Sequence, residues 1–99
     1  MINNFRLCGL DYVVSVKTSD EMEGRIGLVN HNTQEVWINK NFNTQTKKIA
    51  LLHEIIHAMD HMFNLKMSEE NVVYTTHAFY SLLKDNPNLI NDILNLKDD

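Results

Sequence analysis

The chain has 99 residues, room for one modest core, so a single domain over residues 1–99 is expected. A hydrophobic share of 43% excludes a disordered chain, and a net charge of −4 with both signs interspersed offers no electrostatic footprint for nucleic acid. One cysteine, Cys8, excludes an internal disulfide, and no apolar run approaches the ~20 residues that would span a membrane. The N-terminus Met1-Ile2-Asn3-Asn4-Phe5-Arg6 lacks the apolar stretch of a signal peptide, so a cytoplasmic, soluble protein is expected.

In chain order, Leu10–Lys17 is rich in β-branched and aromatic residues and reads as a strand. The polar, acidic stretch 19–23 reads as a loop. Residues 24–30 alternate polar and apolar, His31-Asn32-Thr33 is turn material, and residues 35–39 return as a third strand, so 24–39 looks like a hairpin. A long helix is expected over Thr44–Phe63, with Thr44 as N-cap. Its apolar residues form two stripes, Ile49, Leu52, Ile56, Met59, Phe63 and Leu51, Ile55, Ala58, Met62, as a helix packed on two sides would. The pair Lys47-Lys48 reads as a solvated face. Ser68 is an N-cap candidate for a second helix over 69–84, with Glu69 and Glu70 favouring its dipole. Asp85-Asn86-Pro87 breaks it, and a short helix over 88–96 follows. The order β-β-β-α-α-α predicts an α+β domain: a small antiparallel three-stranded sheet, then two or three helices with the long one central.

The long helix carries His53-Glu54-Ile55-Ile56-His57. Residues four apart lie one turn above each other, so His53 and His57 can aim two imidazoles at one point, which suits zinc. Glu54, one step round the helix, is placed to act as general base on a metal-bound water. Two histidines hold zinc weakly, so a third ligand is needed. A ligand ten residues after the first histidine is excluded, because Phe63 stands there and Met59 occupies the accompanying glycine position. His61 is on the same helix, where three ligands would string out over about 12 Å; it reads as a histidine at the helix end. The second helix, folded back by a short connection, offers Glu69 or Glu70, of which Glu70 is preferred. His77 is a further candidate, as ligand or as a group polarising a substrate carbonyl.

The run Leu-Leu-His-Glu-Ile-Ile-His-Ala (51–58), the acidic helix start Glu69-Glu70-x-Val72 and Leu-Leu-Lys-Asp-Asn-Pro (82–87) resemble the small phage and prophage zincin-like metallopeptidases, relatives of the ImmA/IrrE family. The resemblance covers roughly residues 24–90. It implies a minimal zincin-like domain with a gluzincin-type site: His53, His57 and Glu70 (or Glu69) on zinc, Glu54 as base, and a specific protein or peptide as substrate in the host cytoplasm. Two departures stand out. Relatives usually show Glu-Ala-Asn on the second helix where this chain has Glu70-Asn71-Val72, and this chain lacks the additional domain of larger relatives. The strand over 35–39 could offer its edge to an extended peptide, with Trp37 or its neighbours lining the cleft, the alternative being Trp37 as a core residue. The rival expectation is a non-catalytic zinc-containing protein that binds and inhibits a host or defence factor.

Overall fold

The computed structural model describes residues 3–98 and is α+β. Strands β1 (Asn4–Leu7), β2 (Leu10–Lys17), β3 (Gly27–Asn30) and β4 (Glu35–Asn39) precede helices α1 (Thr44–Phe63), α2 (Glu69–Asp85) and α3 (Leu89–Leu94). The expected antiparallel three-stranded sheet needs correction. The sheet is four-stranded and mixed, in the order β1-β2-β4-β3. The hairpin β3–β4 is antiparallel as expected, but β2 and β4 run parallel, with Val14 opposite Val36. The additional strand β1 pairs antiparallel with β2 through a two-residue turn. Cys8 and Gly9 both have positive φ in that turn (53° and 77°), the backbone twist that joins tight hairpins.

The parallel pair exists because residues 18–26 carry the chain past a vacant strand position, which β4 then fills. Asn39, fully buried at the end of β4, fastens this crossing. Its side-chain amide donates to Ser19 Oγ (2.8 Å) and to the Arg25 carbonyl (2.9 Å), and its backbone N–H donates to the Ile26 carbonyl (2.8 Å). Met22, 2% exposed, anchors the same segment in the interior. An internal β4 corrects the expectation that it forms a peptide-binding edge. The edges are β1 and β3.

Tyr12, Val14, Val36 and Ile38 face inward from the sheet and meet Ala50 and Ala58 of α1, with Leu51 beside them. Alternation along β4 therefore turns Trp37 to the opposite face, where Lys17 lies 4.9 Å from its ring centre. Trp37 does not line the cleft. Helix α1 packs on β3 and β4 with one side and on α2 with another, the central position expected from its two apolar stripes. Asn43, not Thr44, caps it by accepting from the Thr46 N–H at 2.8 Å, and Asn64 ends it in the left-handed region (φ 52°). Ser68 caps α2 as expected, accepting from the Asn71 N–H at 3.0 Å, and Val72 and Thr76 form the buried face of α2. Helix α3 is shorter than the expected 88–96 and buries no residue. Among the described residues no helix is long and apolar enough to cross a membrane.

Candidate metal centre

The helical repeat brings His53 and His57 together on α1. Their Nε2 atoms lie 3.1 Å apart, and both side chains are about one quarter exposed (23% and 26%). The third member is Glu69, the first residue of α2, with Oε1 3.0 Å from His53 Nε2 and Oε2 2.9 Å from His57 Nε2. Glu70, preferred from the sequence, is exposed and stands outside this cluster. The phase of α2 explains the difference. Val72 and Thr76, buried against the body, lie three and seven residues after Glu69, so Glu69, itself 66% exposed, stands at the outer end of that face beside the histidines, and Glu70 is turned one step further round. His77 is exposed and outside the group as well.

Do these residues suit a metal? The two Nε2 atoms lie 3.1 Å apart, each is 2.9–3.0 Å from a different Glu69 oxygen, and one ligand atom from each residue falls within 4.8 Å of the others. Ligands of a tetrahedral zinc with bonds of ~2.0–2.1 Å stand about 3.3 Å apart, a separation close to the 3.1 Å between the imidazoles and the 2.9–3.0 Å from each to the carboxylate. Burial, and then the neighbouring His57, hold the His53 imidazole below its ordinary pKa, which favours the neutral form a metal requires. Two imidazoles and a carboxylate are a zinc donor set. Among the described residues this is the one such group of three or more.

Glu54, one step round the helix from His53, lies against Gly27 of β3, lines the same hollow as His53, His57 and Glu69, and is only 6% exposed. The sheet admits it because residue 27 is glycine: a Cβ there would stand 3.3 Å from both Glu54 Cγ and Oε2. Burial, and secondarily the charge of Glu69, push the Glu54 carboxyl up to about 7. A carboxyl titrating near neutrality is matched to passing a proton in both directions.

Edge strand β3 borders this cluster. The bond from Asn39 N–H to the Ile26 carbonyl makes these two a hydrogen-bonded pair. Alternation then joins Leu28 to Trp37 in the same way, and turns the N–H and C=O groups of Gly27 and Val29 toward the open edge. Two hollows meet at His53 and Glu54. One, of about 350 Å³, includes His57, Glu69 and His31 in its walls; the other, of about 410 Å³, runs between β3 and the first half of α1.

Sequence reasoning missed two of these participants. Gly27 carried a signal, since an isolated glycine within an alternating strand marks a close approach. His31 carried none: it enters through the β3–β4 turn and stacks on His61 with ring centres 4.1 Å apart. Comparison with protein-family models, curated proteins and solved structures finds no match to this chain, so the site stands on its own geometry.

Proposed function

We propose that the chain is a zinc-dependent metallopeptidase of the gluzincin kind, with His53, His57 and Glu69 as ligands and Glu54 as general base. The observation that carries this reading is the conjunction of a His-His-Glu triangle with a buried, near-neutral Glu54 that touches the edge strand. A purely structural metal needs no adjoining base. When bound, zinc would lower the pKa of water and polarise a carbonyl.

The remaining chemistry belongs to the chain. Glu54 takes a proton from the attacking water as the new C–O bond forms. It returns that proton to the nitrogen as the C–N bond breaks. The outward N–H and C=O groups of Gly27 and Val29 hold an extended peptide by strand addition, fixing its carbonyl beside the cluster. The substrate class is a protein segment that can be drawn out as a strand, and the resemblance to the ImmA/IrrE group favours one specific protein over peptides in general.

A second reading, a binding protein with a retained metal site, draws on apolar residues exposed on α2 and α3, among them Tyr74, Phe79, Ile90 and Ile93. One experiment separates the two. Zinc-loaded protein is incubated with a denatured protein substrate, with and without chelator, beside Glu54→Gln. Cleavage that is lost with chelator and with the variant, while circular dichroism shows the fold intact, supports the enzyme. Unfolding on chelation, with no cleavage at any stage, supports the binder.

A further inference from the structure

The inward face of α2 continues past the point where its packing stops. Val72, Thr76, Phe79 and Leu83 follow one another at helical spacings of four, three and four, so they form one stripe. Val72 and Thr76 are buried, yet Phe79 and the neighbouring Leu82 are 43% and 44% exposed. From His77 to Asp98 every residue is exposed except the half-buried Tyr80, Leu83 and Leu89. The second half of α2 and all of α3 thus form an arm beyond the body, and the molecule measures 54 Å along one axis against 28 and 27 Å along the others. Helix α3 repeats the pattern: Ile90, Ile93 and Leu94 share one side and are 57–77% exposed, and Leu96 beyond them is exposed as well. Among the described residues α3 packs closely on no other element, and it buries no side chain. Isolated helices shorter than ~12–15 residues are marginal in water, so a six-residue apolar helix needs a surface to lie against.

Area and charge identify that surface. At ~150–200 Å² for a fully open side chain of this size, Phe79, Leu82, Ile90, Ile93, Leu94 and Leu96 together expose about 600–700 Å². The largest apolar patch on a typical monomer is ~300–600 Å², whereas a stable interface buries about 600–1,000 Å² per partner. In a two-fold contact the same patch serves both sides, so a second copy of the chain supplies what the arm lacks. Between His77 and Leu96 the formal charges are Lys84 against Asp85 and Asp92, so two arms meet with little repulsion. We propose that the α2–α3 arm is a homodimer contact, packing Phe79, Leu82, Ile90, Ile93 and Leu94 against the same residues of a second copy. Glu69 lies ten residues before Phe79, about 15 Å along α2, so both metal centres stay open in the dimer. The inference does not rest on the metallopeptidase reading, and the contact covers Phe79, Ile90 and Ile93, on which the binder reading draws.

Sedimentation equilibrium of the full chain in chelator, from about 1 to about 100 µM, tests it. A monomer–dimer equilibrium with a Kd of about 10 µM or tighter is expected. Ile93→Glu, on a helix that buries nothing, should leave the circular dichroism of the body intact. It should weaken association about 100-fold or more, because each substitution acts twice in a two-fold contact. Tyr74→Glu, exposed on α2 but off the stripe, should change association less than about threefold. Amide exchange in the wild-type chain should show α3 protected only where the dimer predominates. A chain that stays monomeric at about 100 µM overturns the proposal and leaves the arm to a different protein. So does a dimer that Tyr74→Glu disrupts and Ile93→Glu does not, or one that forms only when zinc is added, which would put the contact at the metal centre. Wild-type association and exchange decide the matter if Ile93→Glu does not fold; α3 protection that is independent of concentration contradicts the contact.

Discussion

Glu54→Gln should stabilise the metal-free protein, and by an amount that grows with pH. The Glu54 side chain is 6% exposed, and its carboxyl is pushed up from 4.5 to about 7, by burial first and Glu69 second. The unfolded chain releases this proton near pH 4.5 while the folded chain keeps it. The stability tied to that proton is therefore whole below pH 4.5 and declines as the pH rises through about 7. A tenfold difference in proton affinity is worth about 1.4 kcal/mol, so the gap from 4.5 to about 7 costs the folded protein about 3 kcal/mol at pH 8. Glutamine has the same shape and no proton to lose. His31 and His53, held below their ordinary values chiefly by burial, act in the opposite sense, their share of stability being lost as the pH falls below 6.5. Both are present in either protein, so they cancel in the difference. Urea melts of the two chelator-treated proteins between pH 4.5 and 8 measure that difference directly. It should be small at the acid end and reach about 3 kcal/mol at the alkaline end. A difference that does not change with pH would refute the reasoning that burial raises the Glu54 carboxyl in the folded chain.

Gly27→Ala should separate stability from function. The new Cβ meets Glu54 at 3.3 Å, so the carboxylate must shift by a few tenths of an ångström, while the unfolded chain loses freedom worth about 0.4–1 kcal/mol. Urea stability should stay within about 1 kcal/mol of wild type, and peptide hydrolysis should fall about tenfold because a displaced base is a poor one; unchanged turnover would contradict the close approach. Asn39→Ala removes both donors of a fully buried amide and leaves the Arg25 carbonyl without its partner. It should cost about 2–3 kcal/mol in urea melts and abolish amide-exchange protection at the Ile26–Asn39 junction; a loss below about 0.5 kcal/mol would mean that Asn39 does not fasten the crossing segment.

The helices were legible because their signals are local. The apolar stripes of α1 run from Ile49 to Phe63, and Asn64 at its end and Ser68 ahead of α2 are strong cap residues. The cap of α1 was displaced by one position because Asn43 and Thr44 are both good caps and only the backbone, extended at Asn43, separates them. Strand β1 was hidden by its length of four residues and by a turn whose first residue is cysteine, not a usual choice for positive φ. The parallel pairing of β2 with β4 joins segments about twenty residues apart through a buried asparagine, and no periodicity encodes that. His53, His57 and Glu54 followed from helical spacing alone. The choice between Glu69 and Glu70 did not, because it depends on how the 64–68 connection, with Asn64 and Lys66 both at positive φ, rotates α2 about its axis. The pattern Val72, Thr76 held the answer once it was known that these two are the buried residues of α2.

The central claim is a three-ligand metal centre completed by Glu69, and zinc affinity measured side by side for wild type, Glu69→Ala and Glu70→Ala tests it most directly. Loss of residues that merely orient a ligand already costs 10–100-fold, so loss of a ligand should cost at least about a hundredfold. The account predicts one zinc per chain in wild type, affinity lowered by that factor or more in Glu69→Ala, and wild-type affinity in Glu70→Ala. Equal zinc binding in all three proteins, or a loss confined to Glu70→Ala, would contradict it.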